Sequence, residues 1–407
     1  MQRLFAVGRR AALTALLGLL PLTAVAGGNQ VVDPERAYYD GRRIPHRYEG
    51  PGREQPAGEA TRLPILYFGP HDPTAASSDL ALWLAARMAA EDLAGGAAPT
   101  GPRPEFTSVW SENPWGTGIA RLVKAVYTEE VVAVLTGITG DAVHLAEQAA
   151  AKARIPIVNS GSTDETAHRA HVAWLFSCLP GETAQAAVLA AAYSQLVGER
   201  PFILLSSTAH DMRVFTDELL EAMAARGRSP RLHLQLEPGA RELPAPLTAE
   251  ILQESGAVFL VAEPELSAAL YPKLRRRFPG PIFGSWAFGR TAFLEAWPGA
   301  PGPVFFPYPA DPAGVQQFSR RFAERFGRPA DYAAAQTYDA VVLLAAAARH
   351  GGANRARLAD ALREVVPWRG YAGTVKWDMT GQNTREPVLA TLEDGGVIRP
   401  VTLETRR

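Results

Sequence analysis

Residues 131–165 constrain the fold more than any other part of the chain. They read VVAVLTGITG from 131, then DAVHLAEQAAAKAR from 141 and IPIVNSGSTDE from 155. The apolar, β-branched run 131–135 has no polar alternation, the pattern of a strand buried on both faces. The Ala/Leu/Glu/Gln/Lys-rich middle places Ala142, Leu145, Ala146, Ala149 and Ala153 on one helical stripe. Residues 155–158 form a second buried strand. Strand, helix, strand at this length is a βαβ unit, so the sheet is parallel. Ligands of such sheets bind outside the carboxyl ends of the strands. Those ends are 136–141 and 159–163, both small, polar and Gly-containing.

The same alternation runs along the rest of the chain. Strands are expected at 64–69, 105–110, 174–177, 201–205, 232–236, 257–262, 281–283 and 302–307. Helices are expected at 79–93, ended by Gly95-Gly96, and at 118–127, 183–197, 214–226, 247–255, 266–278, 315–326, 330–350 and 355–365. The segments 373–377, 388–392 and 397–401 read as antiparallel strands closing the chain, joined by turns at Thr380-Gly381 and Asp394-Gly395-Gly396. The expected fold class is α/β, with two lobes and a late return of helices. At 407 residues the chain is long enough for two domains.

Composition narrows function. Apolar residues make up 47% and charged residues 20%, the balance of a globular protein. A net charge of −1 removes the electrostatic argument for nucleic acid or an anionic membrane surface. The single cysteine, Cys178, sits in an apolar context and reads as an inert buried thiol, with no disulfide or Cys-based metal site. Residues 1–26 read as a secretory signal peptide: Arg3, Arg9 and Arg10, an apolar core at 11–22, and Ala24-Val25-Ala26 for cleavage. The apolar core is shorter than the ~20 residues that span a bilayer. Arg9-Arg10 leaves both the general and the twin-arginine export routes open, and no cysteine follows the core to carry a lipid anchor. Residues 27–62 read as a flexible leader.

Signatures of catalysis are absent from the sequence. Asn159-Ser160-Gly161-Ser162 lacks the glycines of a nucleophile elbow, and Gly137-Ile138-Thr139-Gly140 has the wrong spacing for a phosphate loop. The eight histidines are scattered and read as surface or cap residues. No catalytic residue, metal site or cofactor is expected.

Several pieces in order carry a family resemblance: Tyr67-Phe68-Gly69-Pro70, AAEDLAGG at 89–96, the unit 131–165, YDAVVLLAA at 338–346, GYAGTVKWD at 370–378 and residues 386–395. From about residue 63 to the end, the chain resembles the periplasmic substrate-binding proteins of branched-chain amino-acid and amide ABC transporters. That resemblance implies the type I periplasmic binding fold, two Rossmann-like lobes joined by a multi-strand hinge. Residues 63–180 with 308–369 would make the first lobe and 181–307 with 370–405 the second. It also implies a non-enzymatic monomer in the periplasm that closes on an amino-acid- or amide-like solute and delivers it to ABC permease subunits. A ligand-sensing module on the same fold is the alternative.

In the resembled family the first-lobe strand ends hold a ligand carboxylate. They match Gly140, Asp141, Gly161, Ser162 and Thr163 here. The second-lobe loops match His210, Asp211, Glu263 and Trp286. Gly140 stands where a small hydroxyl is usual, His210-Asp211 where an aromatic is usual and Trp286 where an acid is frequent, which widens the ligand class to amides, urea-like molecules and amines. The expected polarity puts the ligand's acceptor end on Gly140, the 161–163 backbone and the Thr163 hydroxyl, and its donor end on Glu263 with Asp211. Structural roles compete for the same residues. Ser162 and Glu165 form an S-x-x-E capping box, Asp141 suits an N-cap, Glu263 suits a solvated loop and Trp286 suits the core.

Overall fold

Strand propensity and turn chemistry place two sheets of the same order in the chain. The computed structural model describes residues 61–95, 101–297, 299 and 302–403. The expected signal peptide, all but the last two residues of the leader, and Gly96 lie outside the described residues. The first sheet takes β1 (Arg62–Gly69), β2 (Arg103–Trp110), β3 (Ala133–Thr136), β4 (Ile157–Asn159) and β5 (Leu175–Ser177) in the order β2-β1-β3-β4-β5. All its pairings are parallel. Between these strands lie α1 (Leu80–Gly95), α2 (Ile119–Thr128) and α3 (Gly140–Ala153). The first half thus winds as the βαβ unit demands.

After β5 the chain enters α4 (Glu182–Leu196) and repeats the pattern. The elements are β6 (Phe202–Ser207), α5 (His210–Ala224), β7 (Pro230–Leu236), α6 (Ala249–Glu254), β8 (Ala257–Val261), α7 (Pro264–Arg277), β9 (Ile282–Gly284), α8 (Thr291–Glu295) and β10 (Val304–Tyr308). The parallel part of this sheet reads β7-β6-β8-β9-β10, the order of the first sheet again. Each sheet therefore has a switch point, between β1 and β3 and between β6 and β8. Ligands bind beyond strand carboxyl ends at such points.

The chain then returns through α9 (Pro312–Phe326), α10 (Tyr332–Gly351) and α11 (Arg355–Glu364). Helix α10 packs on α1 and α11. It is buried on nearly every side, and its run of alanines lets neighbouring helices come close without polar groups to satisfy. Asp331 starts it, accepting from the backbone N–H groups of Ala333 and Ala334.

The closing segment differs from expectation. Residues 373–375 do not join the last two strands. They form β12 (Gly373–Val375), paired with β11 (Trp368–Gly370) in a separate two-stranded ribbon. Only β13 (Val388–Glu393) and β14 (Val397–Pro400) extend the second sheet, with β13 antiparallel to β10. The reason is a tether. Trp377 Nε1 donates to the Ser177 carbonyl at 2.8 Å, its ring lies 4.9 Å from Phe176, and Asn383 Nδ2 donates to the Cys178 carbonyl at 2.6 Å. These contacts hold the segment at the end of β5. The expected turn before β14 is present, with Gly395 and Gly396 at φ 76° and 75°, a region that favours glycine.

Candidate functional site

The carboxyl ends of the switch-point strands of both sheets open onto one cavity of about 530 Å³. His71 follows β1, Ile138 and Thr139 follow β3, His210 and Asp211 follow β6, Glu263 follows β8 and Trp286 follows β9. Ser77, Ser78, Arg290 and Arg328 are among its other polar lining residues. The volume falls in the range of small-molecule sites, about 300–1,000 Å³.

Of the residues singled out in the sequence, Asp141, His210, Asp211, Glu263 and Trp286 line this cavity, whereas Gly140, Gly161, Ser162 and Thr163 do not. The Gly140 N–H is already taken: it donates to the Asp211 carboxylate at 3.0 and 3.3 Å. Burial pushes the Asp211 carboxyl up to about 7, the charge of Asp164 adds to this, and the Gly140 N–H opposes it. Thr163 is buried and its hydroxyl donates to Glu182 Oε1 at 2.6 Å. Glu182, itself fully buried, also accepts from the Glu165 N–H, and burial raises its carboxyl well above the usual range.

The capping roles also differ from expectation. No α-helix follows Ser162. Its hydroxyl accepts from the Asp164 N–H at 3.1 Å, and only a short 3-10 turn over Thr166–Ala170 comes after. Asn159 explains this: its side chain accepts from the Ser162 N–H and donates to the Ser162 carbonyl, closing a local turn that competes with helix initiation. The expected helix N-terminus at this strand end is therefore not formed. Asp141 is not the N-cap of α3 either. Thr139 is, accepting from the Ala142 N–H, while Asp141 sits in the first turn and accepts from Trp115 Nε1 at 3.0 Å.

The second-lobe side is built differently. Glu263 Oε2, Trp286 Nε1 and Arg290 Nη1 are buried and have no hydrogen-bond partner among the described residues. All three residues line the cavity. Trp286 is 6% exposed, so it is both core and cavity wall. Arg290 Nε donates to Asp331 Oδ2 at 2.8 Å, which leaves its fork half used. Ser285 fixes the turn that carries Trp286 by accepting from the Ala287 N–H. Arg290 and the serines were missed in the sequence because nothing local marks them; Arg290 lies in a plain Phe-Gly-Arg-Thr run.

Beside the cavity, Asp164 Oδ2 lies 2.7 Å from His210 Nε2 and 3.2 Å from His144 Nε2. The carboxylates of Asp164 and Glu147, 3.2 and 3.8 Å from its ring nitrogens, push the His144 imidazole up to about 10, and the Asp164 bond raises His210 as well. Burial would raise Asp164, but bonds from His144, His210 and Thr166 hold it well below the usual carboxylate range. Reading the histidines as scattered surface groups missed this cluster.

Residues 69–396 match the family model described as periplasmic binding protein. The chain belongs to that family. Solved structures agree in fold. A leucine-binding protein, LivK, from Thermotoga maritima superposes with a TM-score of 0.71 at 15% identity, covering 84% of this chain and 98% of that one. The branched-chain amino acid transporter substrate-binding protein LivJ from Streptococcus pneumoniae, solved with isoleucine, gives 0.71 at 18% identity, covering 84% and 99%. An ABC transporter solute-binding protein from R. palustris, solved with benzoate, gives 0.69 at 16%, covering 84% and 95%. No curated protein matches the sequence. The fold of this periplasmic binding protein is thus the two-lobed type I arrangement, and its family and fold neighbours are substrate-binding proteins, not enzymes. The family is extracytoplasmic, and no helix among the described residues is long and apolar enough to cross a membrane.

Proposed function

We propose that this periplasmic binding protein is the solute-binding component of an ABC importer, taking a small amino-acid- or amide-like ligand between its lobes and closing around it. Residues 63–180 with 308–369 act as one body and 181–307 with 370–405 as the other. The observation that carries the ligand class is that three cavity-lining residues each keep a buried polar atom with no hydrogen-bond partner among the described residues: Glu263 Oε2, Trp286 Nε1 and Arg290 Nη1. Buried polar groups are nearly always hydrogen-bonded, so such a set marks where a bound molecule completes the bonding. One acceptor and two N–H donors fit a solute with an N–H donor at one end and a carboxylate or carbonyl at the other. The expected first-lobe contacts fit this ligand less well, because Gly140 and Thr163 already have partners. The ligand's acceptor end therefore goes to Arg290 and Trp286 rather than to residues 161–163.

Small-angle scattering tests the closure. A thermal-shift screen of amino acids, amides and amines selects a stabilising solute; at a hundred times its dissociation constant the expected gain is about 2.7 kcal/mol. With that solute the particle becomes more compact. An unchanged radius at saturation removes the clamshell reading.

A further inference from the structure

We propose that His144, Asp164 and His210 form a site for a divalent cation of the zinc class that joins the two lobes. One donor atom from each residue lies within 4.8 Å of the others. They come from separate elements: His144 from α3, Asp164 from the loop after β4, and His210 from the first position of α5. The set is two imidazoles and one carboxylate, the donor mix that suits Zn²⁺ and its neighbours over Mg²⁺ or Ca²⁺.

The surroundings are arranged as an outer shell. Asp164 has a fully buried side chain. Its Oδ1 accepts from the Thr166 N–H at 2.9 Å and the Thr166 hydroxyl at 2.6 Å, which aims Oδ2 at both imidazoles. Behind His144, Glu147 Oε2 lies 3.8 Å from Nδ1, and Glu147 Oε1 is buried with no hydrogen-bond partner among the described residues. A carboxylate behind a ligating imidazole fixes the ring and raises its basicity. The two rings stand edge to face, 5.5 Å apart at 87°.

Four-coordinate zinc with bonds of about 2.0–2.2 Å needs its donors about 3.3 Å apart. The present separations from Asp164 Oδ2, 2.7 and 3.2 Å, are close to that. Small side-chain shifts admit an ion in place of the proton between His210 and Asp164, with His144 Nε2 exchanging its 2.9 Å bond to the Thr166 hydroxyl for the ion. His210 also lines the cavity, so the proposed ion site adjoins the solute site. Because His210 belongs to the other lobe from His144 and Asp164, the ion favours the closed arrangement.

The test is titration of the full chain, stripped with a chelator, with Zn²⁺ alone. One ion is expected to bind per chain with a dissociation constant in the micromolar range or tighter, and His144→Ala and His210→Ala are each expected to weaken it at least tenfold. Co²⁺ supplies a readout on the parent protein that needs no variant: the intense visible absorption of a four-coordinate ion. Absence of saturable binding, binding that both histidine variants leave unchanged, or a weak six-coordinate cobalt spectrum overturns the proposal and leaves the cluster as a hydrogen-bonded ion pair. None of these outcomes depends on the identity of the solute.

Discussion

The two lobes share a strand order but finish their strands in opposite ways. At the ends of β3, β4 and β5 the polar groups satisfy one another. Asn159 accepts from the Thr136 hydroxyl at 3.3 Å and donates to the Ser177 hydroxyl at 3.0 Å, and Ser160 bonds Thr337 at 2.9 Å. Thr163 and Glu182 close the set. At the ends of β8 and β9, Glu263 and Trp286 line the cavity, and each keeps a buried polar atom with no hydrogen-bond partner among the described residues. The cores differ as well. Helices α3 and α10 pack on alanines, whereas the second sheet is filled by rings, with Phe259 stacked on Phe283 at 4.8 Å and Phe202 edge-on at 5.1 Å. The lesson is that a polar strand end is not by itself a ligand site. What matters is whether its hydrogen bonds are already used.

Substitutions can break this contrast, and the largest effect belongs to the aromatic core. Phe259→Ala is expected to cost about 3–5 kcal/mol in denaturant unfolding, since Phe259 is fully buried and the stacked rings cannot collapse into the gap. Thr163→Val comes next. It keeps the shape and leaves Glu182 short of a donor, so stability should fall by about 1–3 kcal/mol while affinity for the selected solute holds. If affinity falls and stability does not, the first-lobe strand end is a ligand contact after all and the contrast between lobes is lost.

Glu263→Gln should behave in the opposite sense. It removes charge from a side chain whose Oε2 has no hydrogen-bond partner among the described residues, so the melting temperature should hold. Titration calorimetry with a cationic or zwitterionic solute should show at least about a tenfold loss, or 1.4 kcal/mol. Equal affinity in parent and variant would make Glu263 a loop acid only. Trp286→Phe is the smallest and sharpest change. It deletes the indole N–H and retains most of the apolar wall, so binding should weaken by about 0.5–1.5 kcal/mol. A loss of stability with no change in binding would assign the Trp286 N–H to the core.

Much of this was legible beforehand in particular residues. The run 131–135, the alanine stripe of 142–153 and the strand 155–158 correspond to β3, α3 and β4, with boundaries shifted by a residue or two. The family resemblance pointed to His210, Asp211, Glu263 and Trp286, all of which line the cavity. The capping box at Ser162 and Glu165 pointed to a helix start that the Asn159 turn removed. Likewise 373–377 looked like a strand grouped with the two that close the chain, whereas Gly373–Val375 pairs antiparallel with β11 and Trp377 reaches the end of β5.

Most of the order of strands and helices, and with it the α/β class, is legible in the sequence alone, because burial of a strand or a helix face imposes a period that is visible over ten residues; the short α8 and β11 are not. Only the tertiary structure decided which polar groups are free. Gly140 and Asp211 stand 71 residues apart, and Asp164 and His210 stand 46 apart, yet each pair is bonded. Hydrogen-bond satisfaction depends on neighbours brought by the fold rather than by the chain. No local pattern therefore records that the N–H of Gly140 is occupied while Trp286 Nε1 and Arg290 Nη1 have no partner among the described residues.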